Sequence, residues 1–296
     1  MRRLLEHAVL AIALLPLGCG GNGATSSFIK PGVDGGAGGP PGTDAGPANL
    51  DGSPLLGGDA AAFDGAAGQV AEVFGESPDT LYKLDPITKA VVVVGMFQGC
   101  SQVIDLALDK DSNMFATTFN GVYRVDRTTA VCTLIAMGSY PNSLSFVPAG
   151  TLDPNVEALV GYVGAEYIRI DPSTGAITNV GTIGGGLSSS GDIVSVKGGG
   201  TYLTVNGPGC GDCLIEVDPA SGALKKNWGP VGYSSVFGLA FWAGAVYGFD
   251  NGGDLFQVNF NGAALQTTSI PIPNKPAGLQ FWGAGSTTSA PPSKNN

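Results

Sequence analysis

YIRIDPSTGAITNVG, residues 167–181, alternates apolar and polar side chains, breaks at Asp171-Pro172-Ser173-Thr174-Gly175, and alternates again. Asp can cap a tight turn, Pro presets its backbone angle and Gly accepts a positive one, so the stretch reads as a β-hairpin. The phrase returns as LYKLDPITKAVVVVG from 81, VYRVDRTTAVCTLIAMG from 122, LIEVDPASGALKKNWG from 214 and LFQVNFNGAALQTTS from 255. Its anchors are Asp85, Asp126, Asp171, Asp218 and Asn259, in steps of 41, 45, 47 and 41 residues. A period of this size marks a repeat architecture.

Two more short runs precede most hairpins: DLALDKDSNMFATT (105–118), SLSFV (143–147) with EALVGYV (157–163), DIVSVKGGGTYLTV (192–205) and GLAFWAGAVYGFD (238–250). Each unit therefore holds four antiparallel strands. With no helical periodicity after Cys19, the fold class is all-β, a five-bladed β-propeller over residues 69–285 whose blades pack face to face. The first hairpin has only Val70–Phe74 before it, while AGLQFW at 277–282 reads like the inner strands SLSFV and GLAFW. That orphan is expected to join the N-terminal blade and close the ring.

The repeated wording resembles the blade motif L-Y-x-[ILV]-D-P-x-T-G of a large bacterial propeller superfamily, a resemblance that implies the fold and little about activity. Among quinoprotein repeats, Asp-x-x-Thr-Gly is followed by Trp. Only Val217 to Trp228 approaches that pattern, with the Trp displaced, so no quinone and no other cofactor is expected.

The chain opens MRRLLEHAVLAIALLPLGCGG, two arginines, an apolar stretch from Ala8 to Leu17 and small residues around Cys19. This is the layout of a secretory signal peptide (1–18), too short for a membrane span. Leu15-Pro16-Leu17-Gly18-Cys19 resembles the lipobox of bacterial lipoproteins, though Pro16 stands where that family usually has Leu. The resemblance implies lipidation at Cys19, and Gly20 after it implies the outer membrane. The membrane is thus a partner through a lipid anchor, with either a periplasmic or an outward face. Residues 19–68, rich in Gly, Pro, Ala and Asp, cannot bury enough surface to offset their ordering entropy and read as a disordered linker. The tail 286–296 reads the same way.

The whole chain carries a net charge of −10. Cleavage before Cys19 removes Arg2, Arg3, Glu6 and the only histidine, His7, which leaves −11. An acidic chain repels phosphate backbones, so nucleic acid is not an expected partner. Without histidine there is no Ser-His-Asp or Cys-His pair and no imidazole metal site. Asp109-Lys110-Asp111-Ser112-Asn113 resembles the start of a calcium loop but lacks its Gly and closing Glu, and it reads as a turn.

Propeller ligands generally sit at the mouth of the central funnel, between the loops leading into the inner strands and those joining second and third strands. Mapped here, these loops carry Gln98, Tyr140, Asn142, Ser188, Ser189, Tyr233, Asn274 and Lys275, a set of rings, amides and hydroxyls suited to a sugar or a peptide. A non-catalytic module binding a protein or glycan is the leading expectation; the sequence leaves oligomeric state open. The alternative is a carbohydrate-active hydrolase using Asp105, Asp192 and Glu166, since glycosidases hold two carboxyls about 5–10 Å apart. The competing reading has Asp105 and Asp192 binding backbone amides or water in the channel, where other blades place Ser143, Gly238 and Gly278.

Export favours disulfides among Cys100, Cys132, Cys210 and Cys213. Cys210–Cys213 is expected to staple one loop. Cys100–Cys132 conflicts with the blade layout, which puts the first at the inner top of the second blade and the second on its outer strand, several strand spacings of about 4.8 Å away. Trp242 and Trp282 are expected to match each other in two inner strands and to serve blade packing.

Overall fold

The computed structural model describes residues 71–262 and 264–294. The signal segment, Cys19 and the linker 19–68 lie outside the described residues. Among those, no helix occurs, and twenty strands form five four-stranded antiparallel sheets. The first blade contains β1 (Val73–Glu76), β2 (Thr80–Leu84) and β3 (Val91–Met96). The second has β4 (Val103–Leu108), β5 (Met114–Thr118), β6 (Gly121–Val125) and β7 (Cys132–Met137). In the third stand β8 (Leu144–Val147), β9 (Ala158–Val163), β10 (Glu166–Ile170) and β11 (Ile177–Thr182); in the fourth β12 (Ser188–Ser195), β13 (Thr201–Gly207), β14 (Cys210–Val217) and β15 (Leu224–Pro230). The fifth is β16 (Val236–Trp242), β17 (Ala245–Asp250), β18 (Leu255–Asn261) and β19 (Ala264–Ile270), and β20 (Gly283–Ser286) returns to blade 1 beside β1. The inner strands β4, β8, β12, β16 and β20 pack in a closed ring.

The repeated turn does what its residues dictate. Asp85 Oδ1 accepts the N–H groups of Ile87 at 2.8 Å and Thr88 at 3.0 Å, and Asp126 and Asp171 repeat the pattern. Gly222 closes one such turn at φ 71°. A Cβ there would stand 2.4 Å from Tyr167 of the preceding blade. The fifth unit differs: Asn259 lies within β18 opposite Gln266, and its hairpin turns beyond Asn261. Asp109 caps the β4–β5 turn by accepting the N–H groups of Asp111 and Asn113.

Apolar side chains fill each of the five gaps between neighbouring blades. Val160 and Tyr162 meet Leu203 and Ile215 between blades 3 and 4, for example, and Phe74 and Leu81 meet Leu106 and Met114 between blades 1 and 2. No single blade can bury both faces alone, which is why the unit must repeat and close.

Three expectations are corrected. The ring closes with Gly283–Ser286, paired from Val73↔Ser286 to Glu76↔Gly283, and not with 277–282. A Cβ on Gly283 would lie 2.2 Å from Glu76 Oε1 and 2.4 Å from Asp105 Oδ1, and one on Gly285 2.9 Å from the Leu106 carbonyl. The crowded axis thus demands small residues, and the apolar 277–282 segment instead sends Leu279 and Phe281 into the core between blades 5 and 1.

The tail is not loose at its start. Ser286, Thr287, Thr288 and Ala290 are buried. Thr287 donates its N–H to Glu72 O (3.1 Å) beside blade 1, Ser289 its hydroxyl to Lys110 O (3.3 Å) in blade 2, and Thr288 its hydroxyl to Glu157 beside blade 3. Thr288 O accepts from Lys197 N–H (2.8 Å) in blade 4, and Ser286 Oγ from Phe241 N–H (3.0 Å) in blade 5. All five blades meet this segment at the channel end opposite the funnel mouth.

Cys100 and Cys132 are bonded, with Cα atoms 5.7 Å apart, as are Cys210 and Cys213 at 5.3 Å. The expected conflict assumed a flat blade. Strands twist progressively across a blade, and the start of β7 swings beside the loop between β3 and β4. There Gln98 pairs with Val131 and its carbonyl accepts the Cys132 N–H at 2.7 Å.

Candidate functional site

Each inner strand, or in blade 3 the residue leading into it, contributes one residue to a ring about the axis: Gly283, Asp105, Ser143, Asp192 and Gly238 for blades 1 to 5. Gly283, rather than Gly278, holds the blade 1 position. Asp105 Oδ2 accepts the N–H of Leu144 in blade 3 at 2.6 Å, and Oδ1 that of Leu106 at 2.8 Å. Asp192 does the same for Leu239 in blade 5 and for its own neighbour Ile193, both at 2.6 Å. Where blade 5 meets blade 1 no side chain fits, because a Cβ on Gly238 would stand 2.7 Å from that of Ala284.

Glu76, at the end of β1, enters the space that Gly283 leaves. It is fully buried and neither carboxyl oxygen has a hydrogen-bond partner among the described residues, nor has Ser143 Oγ. Burial first, and then the Asp192 charge, hold Glu76 well above the usual carboxylate range. Burial raises Asp105 too, helped by Asp192 and Glu76; it also raises Asp192, against the hydrogen bonds that Asp192 accepts. Three fully buried acids about the axis thus favour their neutral forms.

One residue before this ring, about 3.3 Å along each strand, the chain lines an open cleft of 390 Å3. Ile104, Asn142, Phe237 and Trp282 each precede a ring residue, and Phe119, Val163, Tyr140 and Tyr162 complete most of the wall. Two β-bulges help to set it: the pairing of β4 slips between Val103 and Asp105, and that of β16 between Val236 and Gly238. The skipped residues, Ile104 and Phe237, both line the cleft, an example of a bulge re-aiming a side chain. No ionisable Lys, Arg, Asp or Glu is among the lining residues.

The residues expected at the mouth separate into groups. Tyr140 and Asn142 line the cleft, the Tyr140 hydroxyl donating to Gly175 O at 2.9 Å. Ser188 Oγ lies 3.6 Å from the Cβ position of the cleft residue Gly164, and Ser189 N–H binds the Gly164 carbonyl at 2.8 Å. Tyr233 stacks on Phe256 with ring centroids 4.0 Å apart. Gln98 is exposed beside Val131, Asn274 is an exposed turn residue with φ 50°, and Lys275 pairs with Asp254 at 3.4 Å. The carboxyls considered for hydrolysis divide likewise: Asp105 and Asp192 meet in the buried ring, whereas Glu166 is exposed at the start of β10.

Sequence reasoning missed Glu76, Phe119, Phe237 and Trp282. One signal was available, an aromatic residue directly before an inner-strand glycine, shared by Phe237-Gly238 and Trp282-Gly283. Trp282 is therefore the counterpart of Phe237 and faces the cleft, whereas Trp242 packs between blades.

No protein-family model matches the chain, and no curated protein matches it. Among solved structures, it is similar to a chain of a nidogen/laminin complex at 10% identity, covering 74% of this chain and 85% of that one with a TM-score of 0.44. A protein of unknown function from Bacteroides caccae gives 14% identity over 71% and 76% of the two chains and a TM-score of 0.38. The PQQ-bound aldose sugar dehydrogenase from Streptomyces coelicolor gives 14% over 65% and 75%, with a TM-score of 0.39.

Proposed function

We propose that the chain is an exported, lipid-anchored binding module that captures a protein or glycan in its funnel cleft without turning it over. The observation that carries this reading is the contrast between two layers. The open layer is mostly aromatic and apolar with no Lys, Arg, Asp or Glu among its lining residues, while the carboxyls beneath it are buried and the two aspartates are occupied by backbone amides. Aromatic walls bury large areas and stack on flat apolar faces, which suits capture; acid–base hydrolysis needs carboxyls exposed to substrate and water. Two disulfides accord with an oxidising compartment. The lipobox-like segment supports the anchor, and the acidic charge argues against nucleic acid.

The test is a screen of glycan and peptide arrays, followed by titration of each hit against Trp282→Ala and Phe237→Ala. Capture predicts at least a tenfold loss of affinity in both variants and no product after prolonged incubation. Release of reducing sugar from an oligosaccharide, abolished by Glu166→Gln as well as by Asp192→Asn, would replace this reading with the hydrolase. Labelled palmitate incorporated by the wild type and lost in Cys19→Ala would verify the anchor.

A further inference from the structure

We infer that the cleft takes a cationic group, the ammonium or guanidinium of a lysine or arginine side chain presented by a protein partner, with the buried acids of the ring as its counter-charge. This rests on the binding reading above and narrows it. Phe119, Phe237 and Trp282 line the cleft, aromatic rings attract cations through the negative quadrupole of their faces, and no Lys or Arg is among the described residues that line it. Directly behind Ile104 and Trp282 come Asp105 and Gly283, the latter leaving room for Glu76.

Glu76 is what turns an aromatic cleft into a cation site. Asp105 and Asp192 each have both oxygens engaged by backbone N–H groups. Glu76 is fully buried with two oxygens that have no partner among the described residues, and Ser143 Oγ beside the same channel has none among them either. Buried acceptors without donors are costly, and a cation in the adjacent layer would attract an ionised Glu76 in a medium where Coulomb attraction is strong. A phosphate or carboxylate ligand would gain no counter-charge from these acids and would oppose their ionisation. A neutral sugar could stack but would leave Glu76 as it is.

The titratable groups facing Glu76 are Asp105 on β4 and Asp192 on β12, while β20 contributes only Gly283. All three acids favour the neutral form in the free protein. An arriving cation favours ionisation, so its binding should release a proton to solvent, which stacking alone would not do.

The experiment titrates the full chain with Ac-Gly-Lys-Gly-NH2, its Gln counterpart and butylammonium chloride, using tryptophan fluorescence and calorimetry in two buffers of different ionisation enthalpy. The expected result is at least tenfold tighter binding of the Lys peptide than of the Gln peptide. Proton release should accompany it, and both should be lost in Glu76→Gln, which keeps the side-chain volume; an unchanged circular-dichroism spectrum and melting cooperativity check that the variant is folded. Butylammonium binding with the same Glu76→Gln sensitivity would support a cation alone as sufficient; binding of the peptide only would support a protein source. Equal affinity for the Lys and Gln peptides, or lysine binding unaffected by Glu76→Gln, overturns the inference. A neutral oligosaccharide that depends on Trp282 but not on Glu76 removes this inference and leaves the binding cleft standing. Failure of every probe and glycan to sense Trp282→Ala removes both.

Discussion

Asp105 on blade 2 accepts the backbone N–H of Leu144 on blade 3 at 2.6 Å, and Asp192 on blade 4 repeats that contact with Leu239 on blade 5. These carboxyls latch neighbouring blades at the axis. Asp192→Asn sets an amide donor where an acceptor is needed and should cost about 1–3 kcal/mol, given the penalty for stranding a buried amide. Asp105→Asn should cost a similar amount. Glu166→Gln, at an exposed site, should leave the thermal midpoint unchanged in the same melts.

The pH dependence has a definite sign. Glu76, Asp105 and Asp192 are raised by burial, so above the unfolded carboxylate range the native state holds protons that the unfolded chain has lost. Their contribution is fully present in acid and declines as pH rises through the folded values. Glu72 has the opposite sign: burial pushes it up, but bonds from Lys83 and Arg127 bring it below its ordinary value, so its contribution is lost as pH falls through that lowered value. Stability should therefore be highest in mildly acidic buffer and decline toward alkaline pH. Glu76→Gln should flatten the alkaline decline; an unchanged slope would show that Glu76 does not titrate there.

Gly283→Ala would bring a methyl group to 2.2 Å from Glu76 Oε1. Overpacking of this kind costs about 1–3 kcal/mol, and Glu76→Ala in the same chain should recover part of it by vacating the space. Gly211→Ala, with nothing within 4 Å of its Cβ, is the matched control. Denaturant melts of the wild type, Gly283→Ala, Glu76→Ala and the double variant give the coupling directly.

The two disulfides should differ in weight. Cys100–Cys132 spans 32 residues and Cys210–Cys213 only 3, which in the loop-entropy relation corresponds to about 3.7 and about 2 kcal/mol. Cys100→Ser with Cys132→Ser should lower the midpoint more than the paired change at 210 and 213. Equal losses would show that loop entropy is not what the longer bond contributes.

Truncation after Ser286 should destabilise the whole ring, since residues 287–290 bond to blades 1 to 4 and bury Ala290 between blades 4 and 5. Lost hydrogen bonds of about 1 kcal/mol each make a fall of several kcal/mol the expected outcome. Removing only 293–296 should have little effect, because Ser293 and Lys294 are exposed.

The parts legible in the sequence are those that short-range chemistry governs. Asp171 captures N–H groups two and three residues ahead, and Gly175 reverses the chain at φ 72°, whatever surrounds them. Four such turns at a near-constant spacing, with a variant at Asn259, specify the hairpins, the period and the number of blades. Tyr140 and Asn142 could be placed near the mouth because loop position follows from strand order.

The remainder was decided by tertiary structure, because it depends on what the axis and the blade twist bring together. Gly283-Ala284-Gly285-Ser286 looks like loop by composition, yet only residues that small fit beside Glu76, Asp105 and Leu106. Cys132 reaches Cys100 because twist turns an outer strand toward the preceding loop. Glu76 reads as an ordinary strand-end acid until ring closure removes its water and leaves it facing two aspartates. Repetition of the chain determined the blades, and closure of the ring determined the site.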